Sequence, residues 1–126
     1  MPIPIVVDTY AWIEFFRGTS AGKKLIDFFD KELITPSIAI AELSFKYEKE
    51  KIDFTNRLNF IKTKSKICFL DERLASVAGK IRYERKHING WGVVDSIILS
   101  TARFFKAKII TGDEHFRDLK ESIMVK

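Results

Sequence analysis

The sequence predicts an α/β fold in which a largely parallel sheet is covered by helices on both faces. Short apolar runs rich in β-branched residues, typical of buried strands, alternate along the chain with longer segments of helical periodicity. A length of 126 residues and a hydrophobic content of 46% suit one compact domain spanning residues 1–126.

The first half of the chain is predicted to contain strands at residues 3–7 and 33–35, with helices at 10–17, at 22–29 and from 37 onward. The first strand is almost wholly apolar and ends at a charge, Asp8. Gly18 is a typical residue to end the first helix, in which we expect Trp12 to belong to the core.

The second half continues the alternation, with helices at 54–64, at 72–86 and from Asp95 onward, and strands at 67–70, 109–111 and 123–125. Asp71 is placed to cap the 72–86 helix. Residues 87–92 contain two glycines and an asparagine, a composition that interrupts helices. The order of strands and helices therefore favours crossover connections and a parallel sheet.

Four carboxylates occupy positions where an apolar residue or a neutral cap would be more ordinary: Asp8, Glu42, Asp95 and Asp113. Asp8 and Asp113 each follow a predicted strand, and the carboxyl ends of parallel strands form the usual binding edge of such sheets. Asp95 begins the apolar stripe of its helix. We therefore expect these side chains to converge.

Glu42 is placed by helical spacing. It lies four residues after Ile38 and three before Phe45, so the three side chains should share one face. We expect that face to point inward, which would bring Glu42 toward the other carboxylates.

A cation is the expected partner of these carboxylates. Charges near an apolar core are costly unless they are paired or coordinate a metal, and two like charges ~4 Å apart repel by about 4 kcal/mol at an effective dielectric of about 20. No Lys or Arg occurs within two residues of Asp8 or Glu42. Oxygen-only ligation favours Mg²⁺ or Mn²⁺ over zinc, which prefers Cys and His ligands.

The chain carries a formal charge of +5 and a pI of about 9.4, although the predicted site is acidic. The excess positive charge must therefore lie elsewhere, a division that suits a polyanionic substrate. Basic residues form three groups that could contact nucleic acid or could simply be solvated helix faces. These groups are Lys62, Lys64 and Lys66; Lys80, Arg82, Arg85 and Lys86; and Arg103, Lys106 and Lys108.

The single cysteine, Cys68, lies in an apolar segment and is expected to be a buried thiol in a reducing compartment. No signal-peptide pattern and no apolar run of about 18 residues is present. We expect a cytoplasmic protein with no membrane segment.

Four sequence fragments, taken in order, resemble the PIN-domain family, and specifically its short single-domain toxins of the VapC type. The fragments are Val6-Val7-Asp8-Thr9, Ile40-Ala41-Glu42-Leu43, Asp95-Ser96-Ile97-Ile98-Leu99-Ser100-Thr101-Ala102 and Thr111-Gly112-Asp113-Glu114-His115-Phe116. The resemblance implies a PIN-like three-layer fold and an endoribonuclease that depends on Mg²⁺ or Mn²⁺. It also implies a homodimer held inactive by a cognate antitoxin.

The family's acidic residues carry over to Asp8, Glu42, Asp95 and Asp113. Among them we assign Asp8 and Asp95 as direct metal ligands, Asp113 as a ligand or a close neighbour of one, and Glu42 as the residue that orients water. Because family members vary just after the last acid, His115 is not counted as a ligand.

Other functions remain open. A haloacid-dehalogenase-like phosphatase also places an Asp after its first strand, but it requires a second acid two residues later, where this chain has Tyr10. An RNA-processing PIN nuclease without a toxin role would carry the same carboxylates. A catalytically silent PIN fold that binds RNA or protein would be expected to have lost some of them.

Overall fold

Five strands form one all-parallel sheet in a computed structural model that describes residues 2–126. The strands are β1 (Ile5–Val7), β2 (Leu33–Pro36), β3 (Lys66–Cys68), β4 (Lys108–Thr111) and β5 (Ser122–Met124). They lie in the order β3-β2-β1-β4-β5. The predicted α/β class with a parallel sheet is confirmed.

Six helices and one 3₁₀ helix connect the strands. They are α1 (Thr9–Arg17), α2 (Ser20–Ile26), α3 (Ser37–Lys49), α4 (Thr55–Lys64), α5 (Glu72–Glu84), α6 (Val93–Phe105) and the 3₁₀ helix Glu114–Phe116. Gly18 ends α1 in the left-handed conformation, at φ 71°, and the Asp71 carboxylate caps α5 by accepting the Leu74 N–H at 2.8 Å. Both ends follow the sequence prediction.

Alternate strand residues pack into two separate cores, one on each face of the sheet. On one face Ile5 and Val7 contact the buried side chains of α1 to α4, including Trp12. On the other face Val6 packs with α5 and α6, around Leu99. The sheet therefore has helices on both faces, as the predicted PIN-like three-layer arrangement requires.

Helices α1 and α2 pack closely at Gly22, which is buried. A Cβ atom at this position would overlap backbone atoms of Glu14 and Phe15. The absence of a side chain at Gly22 thus sets how closely the two helices pack.

Two predicted local environments are wrong. Phe45 is 68% exposed, and the inward face of α3 instead carries Ala39, Leu43 and Tyr47. The third strand ends at Cys68 rather than at residue 70, so Leu70 is exposed, and the Cys68 side chain is only partly buried because β3 is an edge strand.

The strand order changes direction between β1 and β4. From β1 the chain moves outward to β2 and β3, then crosses back to place β4 and β5 on the other side of β1. Such a switch point leaves a crevice beyond the carboxyl ends of the two strands. Asp8 follows β1 directly, and Asp113 follows β4 after one intervening glycine, so both carboxylates lie at this crevice.

No helix within residues 2–126 combines the length and the apolar character needed to cross a membrane.

Candidate metal centre

A cleft of about 230 Å³ opens at the switch point, and all four predicted carboxylates line it. Its lining comprises Asp8, Thr9, Tyr10, Ile13, Glu42, Asp95, Ile98 and Asp113. A larger surface cavity of about 530 Å³ lies between the end of α3 and the start of α4 and contains none of the four. The predicted convergence of the carboxylates is therefore observed, while their catalytic roles stay predictions.

Asp8 is the most buried of the four, at 1% exposure. Its Oδ1 accepts the Ala11 N–H at 2.8 Å and caps α1. Burial raises the pKa of Asp8 to about 7, although hydrogen bonds from Thr111 and Ala11 oppose the rise, and the charges of Asp113 and Glu42 add to it. An ionised Asp8 is thus held at a cost that a bound cation would offset.

Asp95 lies in the first turn of α6, where its Oδ2 accepts the Gly92 N–H at 2.9 Å. That bond leaves Oδ1 to face the cleft, 3.2 Å from Nε2 of His115. The helix start thus fixes the direction of the Asp95 carboxylate.

Asp113 is positioned by the end of β4, because its backbone N–H donates to Oγ1 of Thr111 at 3.1 Å. Burial raises its pKa; the charge of His115 opposes the shift and that of Asp95 adds to it. Gly112 precedes it, and a Cβ atom there would overlap the Tyr10 ring. The glycine therefore lets Asp113 approach the first turn of α1.

Glu42 lies on α3 and is half-buried at the rim of the cleft. The Thr9 hydroxyl donates to its Oε1 at 2.5 Å. Burial raises the pKa of Glu42, the Thr9 bond lowers it, and the charges of Asp95 and Asp113 raise it further. Thr9 thus orients the Glu42 carboxylate, and Thr111 contacts the Asp8 carboxyl and the Asp113 backbone, roles that the sequence left undecided.

One residue of the cluster, His115, was not counted as a ligand by the sequence reasoning. Ligand atoms of Asp95, Asp113 and His115 all lie within 4.8 Å of one another. The signal in the sequence was a histidine two residues after a strand-end Asp, which alone is too weak to assign. The 3₁₀ helix, which the sequence did not predict, contains this histidine, and its Nε2 lies 3.2 Å from Oδ1 of Asp95.

The donor set fits a divalent cation. Among residues 2–126, no Lys or Arg forms an ion pair with any of the four carboxylates. Clustered carboxylates without a basic partner are the usual ligands of Mg²⁺ and Mn²⁺. Asp95 and Asp113 would hold such an ion, with Asp8 beside them in the same cleft.

Three basic residues that the sequence grouped as possible nucleic-acid contacts already have protein partners, and one of them is Lys108, whose Nζ donates to the Lys120 carbonyl at 2.9 Å. Arg85 is 13% exposed and donates to both carboxylate oxygens of Asp118, at 2.8 and 3.0 Å. Arg103 donates to Glu121 at 2.9 Å. The remaining members of the three groups are the better candidates for phosphate contacts.

The fold is similar to that of chains in three solved complexes. A chain of a toxin-antitoxin complex from Klebsiella pneumoniae is 20% identical, with a TM-score of 0.80 and coverage of 97% of this chain and 98% of that one. A chain of VapBC2 from Rickettsia felis, bound to a promoter DNA fragment, is 20% identical with a TM-score of 0.76 and 97% coverage of both chains. A chain of DNA-bound VapBC from Salmonella typhimurium is 16% identical, with a TM-score of 0.76 and coverage of 98% and 99%.

At these identities the similarity shows a common fold. No curated protein sequence matches the chain. The family model of the PIN domain, however, matches residues 5–122, a span that includes all four carboxylates of the cleft. This chain therefore belongs to the PIN-domain family.

Proposed function

We propose that this protein is a divalent-metal-dependent endoribonuclease and the toxin of a type II toxin–antitoxin pair. The observation that carries the nuclease proposal is the convergence of Asp8, Glu42, Asp95 and Asp113 on one cleft at the switch point. Membership of the PIN-domain family supports it. The similar chains of toxin–antitoxin complexes, which align over nearly their whole lengths, support the toxin role.

The residues of the cleft can take different roles in phosphodiester hydrolysis. When bound, Mg²⁺ or Mn²⁺ supplies Lewis-acid chemistry, activating water and stabilising charge on the phosphoryl group. Asp95 and Asp113 would hold the ion, and the buried Asp8, also predicted as a ligand, would add its charge from the same cleft. Glu42 has its Oε1 fixed by Thr9, which leaves Oε2 free to accept a hydrogen bond from the attacking water.

The test of the nuclease is cleavage of an RNA substrate by the purified protein in Mg²⁺, in Mn²⁺ and in EDTA. Asp95→Asn should reduce the rate by roughly 100-fold or more, the scale of losing one electrostatic stabiliser. The matched control is Asp30→Asn, which replaces an exposed acid outside the cleft lining and should cleave as the parent does. Full activity in EDTA would contradict the metal mechanism.

The toxin role and its partner have a separate test. Expression of the protein alone should arrest growth, and co-expression of the neighbouring gene, as the cognate antitoxin, should relieve the arrest. If an active nuclease is harmless when expressed, the RNA-processing alternative replaces the toxin proposal. Folded protein without nuclease activity would favour the silent RNA- or protein-binding alternative.

The proposed homodimer is tested by sedimentation, since one chain has a mass of 14.6 kDa and the dimer should have twice that. A monomer at all concentrations up to those of the nuclease assay would contradict it.

A further inference from the structure

The side chain of His115 has an unsatisfied nitrogen that lies against the acidic cleft. Its Nε2 is buried and has no hydrogen-bond partner among residues 2–126. The nitrogen lies 3.2 Å from Oδ1 of Asp95, but the contact is not aligned as a hydrogen bond. A buried polar nitrogen without a partner is costly, and a cation between it and the carboxylates would satisfy it.

The backbone of His115 is fixed by contacts outside the cleft. Nη2 of Arg85 donates to the His115 carbonyl at 2.9 Å, and the same guanidinium is held by Asp118. Phe116, the next residue, is fully buried against Trp91. The short 3₁₀ helix is thus anchored on both sides of His115.

The imidazole ring is also held in place. The Trp91 ring meets it edge-on, at 5.8 Å between centroids and an interplanar angle of 87°. Trp91 is fixed in turn by the bond from its Nε1 to Oγ of Ser96 at 2.8 Å and by the Arg85 guanidinium 4.1 Å from its ring centre. The ring that offers Nε2 to the cleft is therefore preorganised by residues that do not line it.

The three groups that converge form a mixed donor set. Asp95 contributes Oδ1, because Oδ2 is used by the Gly92 N–H. Asp113 contributes a carboxylate oxygen, and His115 contributes a nitrogen. Mg²⁺ strongly prefers oxygen ligands, whereas an imidazole nitrogen binds later transition-metal ions more tightly.

We propose that His115 is a nitrogen ligand of this cation site and shifts its preference from Mg²⁺ toward transition-metal ions such as Mn²⁺, Co²⁺ and Zn²⁺. The inference rests on the proposed function in that both require a cation at the cleft. A histidine ligand contradicts the expectation from sequence that the site contains only oxygen ligands. Zinc is then no longer disfavoured by a lack of nitrogen ligands. The rival role for His115 is that of a protonated ion-pair partner of Asp95, which a cation would have to displace.

The test compares metal binding rather than activity. Calorimetric titrations with Co²⁺ and with Mg²⁺ are made on the parent protein, on His115→Gln and on the control His87→Gln. His115→Gln should weaken Co²⁺ binding by about 10-fold or more and change Mg²⁺ binding by less than about 2-fold. His87 is exposed and lies outside the cleft, so its replacement should change neither.

Several outcomes would overturn the proposal. Unchanged Co²⁺ binding in His115→Gln, or equal losses for Co²⁺ and Mg²⁺, would show that the imidazole is not a selective ligand. Tighter Mg²⁺ binding in that variant would favour the ion-pair role. A parent protein that binds neither ion would contradict the metal requirement of the proposed function as well, so the two failures can be told apart.

A second measurement needs no variant to fold. The chain contains two histidines, His87 and His115. In long-range ¹H–¹⁵N spectra of the parent protein, Zn²⁺ should shift the Nε2 resonance of His115 and leave the ring of His87 unchanged. Ring nitrogens of His115 that do not respond to Zn²⁺ would overturn the proposal.

Discussion

Asp8 has two roles that both favour its ionised form, whereas its burial opposes ionisation. As the cap of α1 it accepts the Ala11 N–H, and as a cleft residue it adds a negative charge beside Asp113. Burial makes that charge costly, which is why the pKa of Asp8 rises from 3.8 to about 7. The ionised Asp8 side chain therefore lowers the free energy of unfolding of the metal-free protein.

Asp8→Asn should raise the melting temperature of the metal-free protein at neutral pH. Because the folded pKa lies above the unfolded one, protonation favours folding, and the parent loses stability as the pH rises from about 4 to about 7. The loss is at most about 4 kcal/mol, at about 1.4 kcal/mol per pH unit. Asn carries no charge and can still cap α1.

The measurement is thermal unfolding of both proteins in EDTA between pH 4 and pH 8. The advantage of Asp8→Asn should be small at the acidic end, grow as the pH rises and level off above about pH 7. Parallel pH profiles for the two proteins would show that ionised Asp8 carries no such penalty.

Asp8, Asp95 and Asp113 could be predicted from the sequence because each has a local signal, a strand end or a helix stripe, whereas Glu42 reaches the cleft although the helix face used to place it was wrong. His115 could not be predicted, because its position depends on Arg85 and Trp91, which are distant in sequence. A side chain placed by long-range contacts leaves no periodic pattern. The same applies to Arg85, which the sequence grouped with surface cations although it is paired with Asp118.

At the scale of elements, two glycines in helices have opposite surroundings. Gly22 of α2 is pressed against the backbone of α1 at Glu14, whereas Gly79 of α5 is exposed and has open space around it. The two positions therefore form a matched pair for the same substitution.

Gly22→Ala should destabilise the protein by about 1–3 kcal/mol or more, because the added methyl group overlaps backbone that cannot move aside easily. Gly79→Ala should stabilise it by about 0.5–1 kcal/mol, because alanine is the better helix former and meets nothing. Urea unfolding of both variants and the parent measures the differences. Equal effects of the two substitutions would contradict the close approach of α1 and α2.

Helix α3 shows where helical spacing fails to choose a face. The segment has apolar residues on more than one side, so both the Ile38–Phe45 face and the Ala39–Leu43–Tyr47 face satisfy the spacing rule. The structure buries the second face because Leu43 and Tyr47 meet the core formed with α1 and α4. Glu42 reaches the cleft from the edge of that face, with Thr9 as its partner.

In the whole molecule, the basic residues that give the positive net charge must lie on a different surface from the acidic cleft. We expect much of the affinity for the proposed RNA substrate to come from phosphate contacts on the basic surface, which makes binding depend on salt. Arg85 is excluded from that surface because its guanidinium supports the 3₁₀ helix.

In the Asp95→Asn background, in which cleavage should be slowed, log affinity for single-stranded RNA should fall linearly with log salt concentration, with a slope of about −0.7 per phosphate contacted. Lys80→Ala combined with Lys86→Ala should reduce the magnitude of that slope, since both side chains are exposed on or near α5. The matched control is Lys23→Ala with Lys31→Ala, which removes the same charge elsewhere. Equal slopes for the two double variants would show that the α5 group makes no special contact.

The overall architecture was predictable because it follows from the order of the elements. Alternating strands and helices permit few topologies, and right-handed crossovers place helices on both faces of a parallel sheet. The exact strand order was not predicted, because pairing of β1 with β4 is set by long-range contacts rather than by any local pattern.

That pairing governs when the cleft can exist. Ile5 of β1 lies beside Lys108 of β4, so neighbours in the sheet are made at widely separated times during translation. Domains fold as their segments emerge from the ribosome, and long-range pairing must wait for the later partner. A growing chain has Asp8 and Glu42 long before it has Asp95, Asp113 and His115. The cleft is therefore incomplete until the last part of the chain has been synthesised. A nascent chain lacks the activity of the completed cleft.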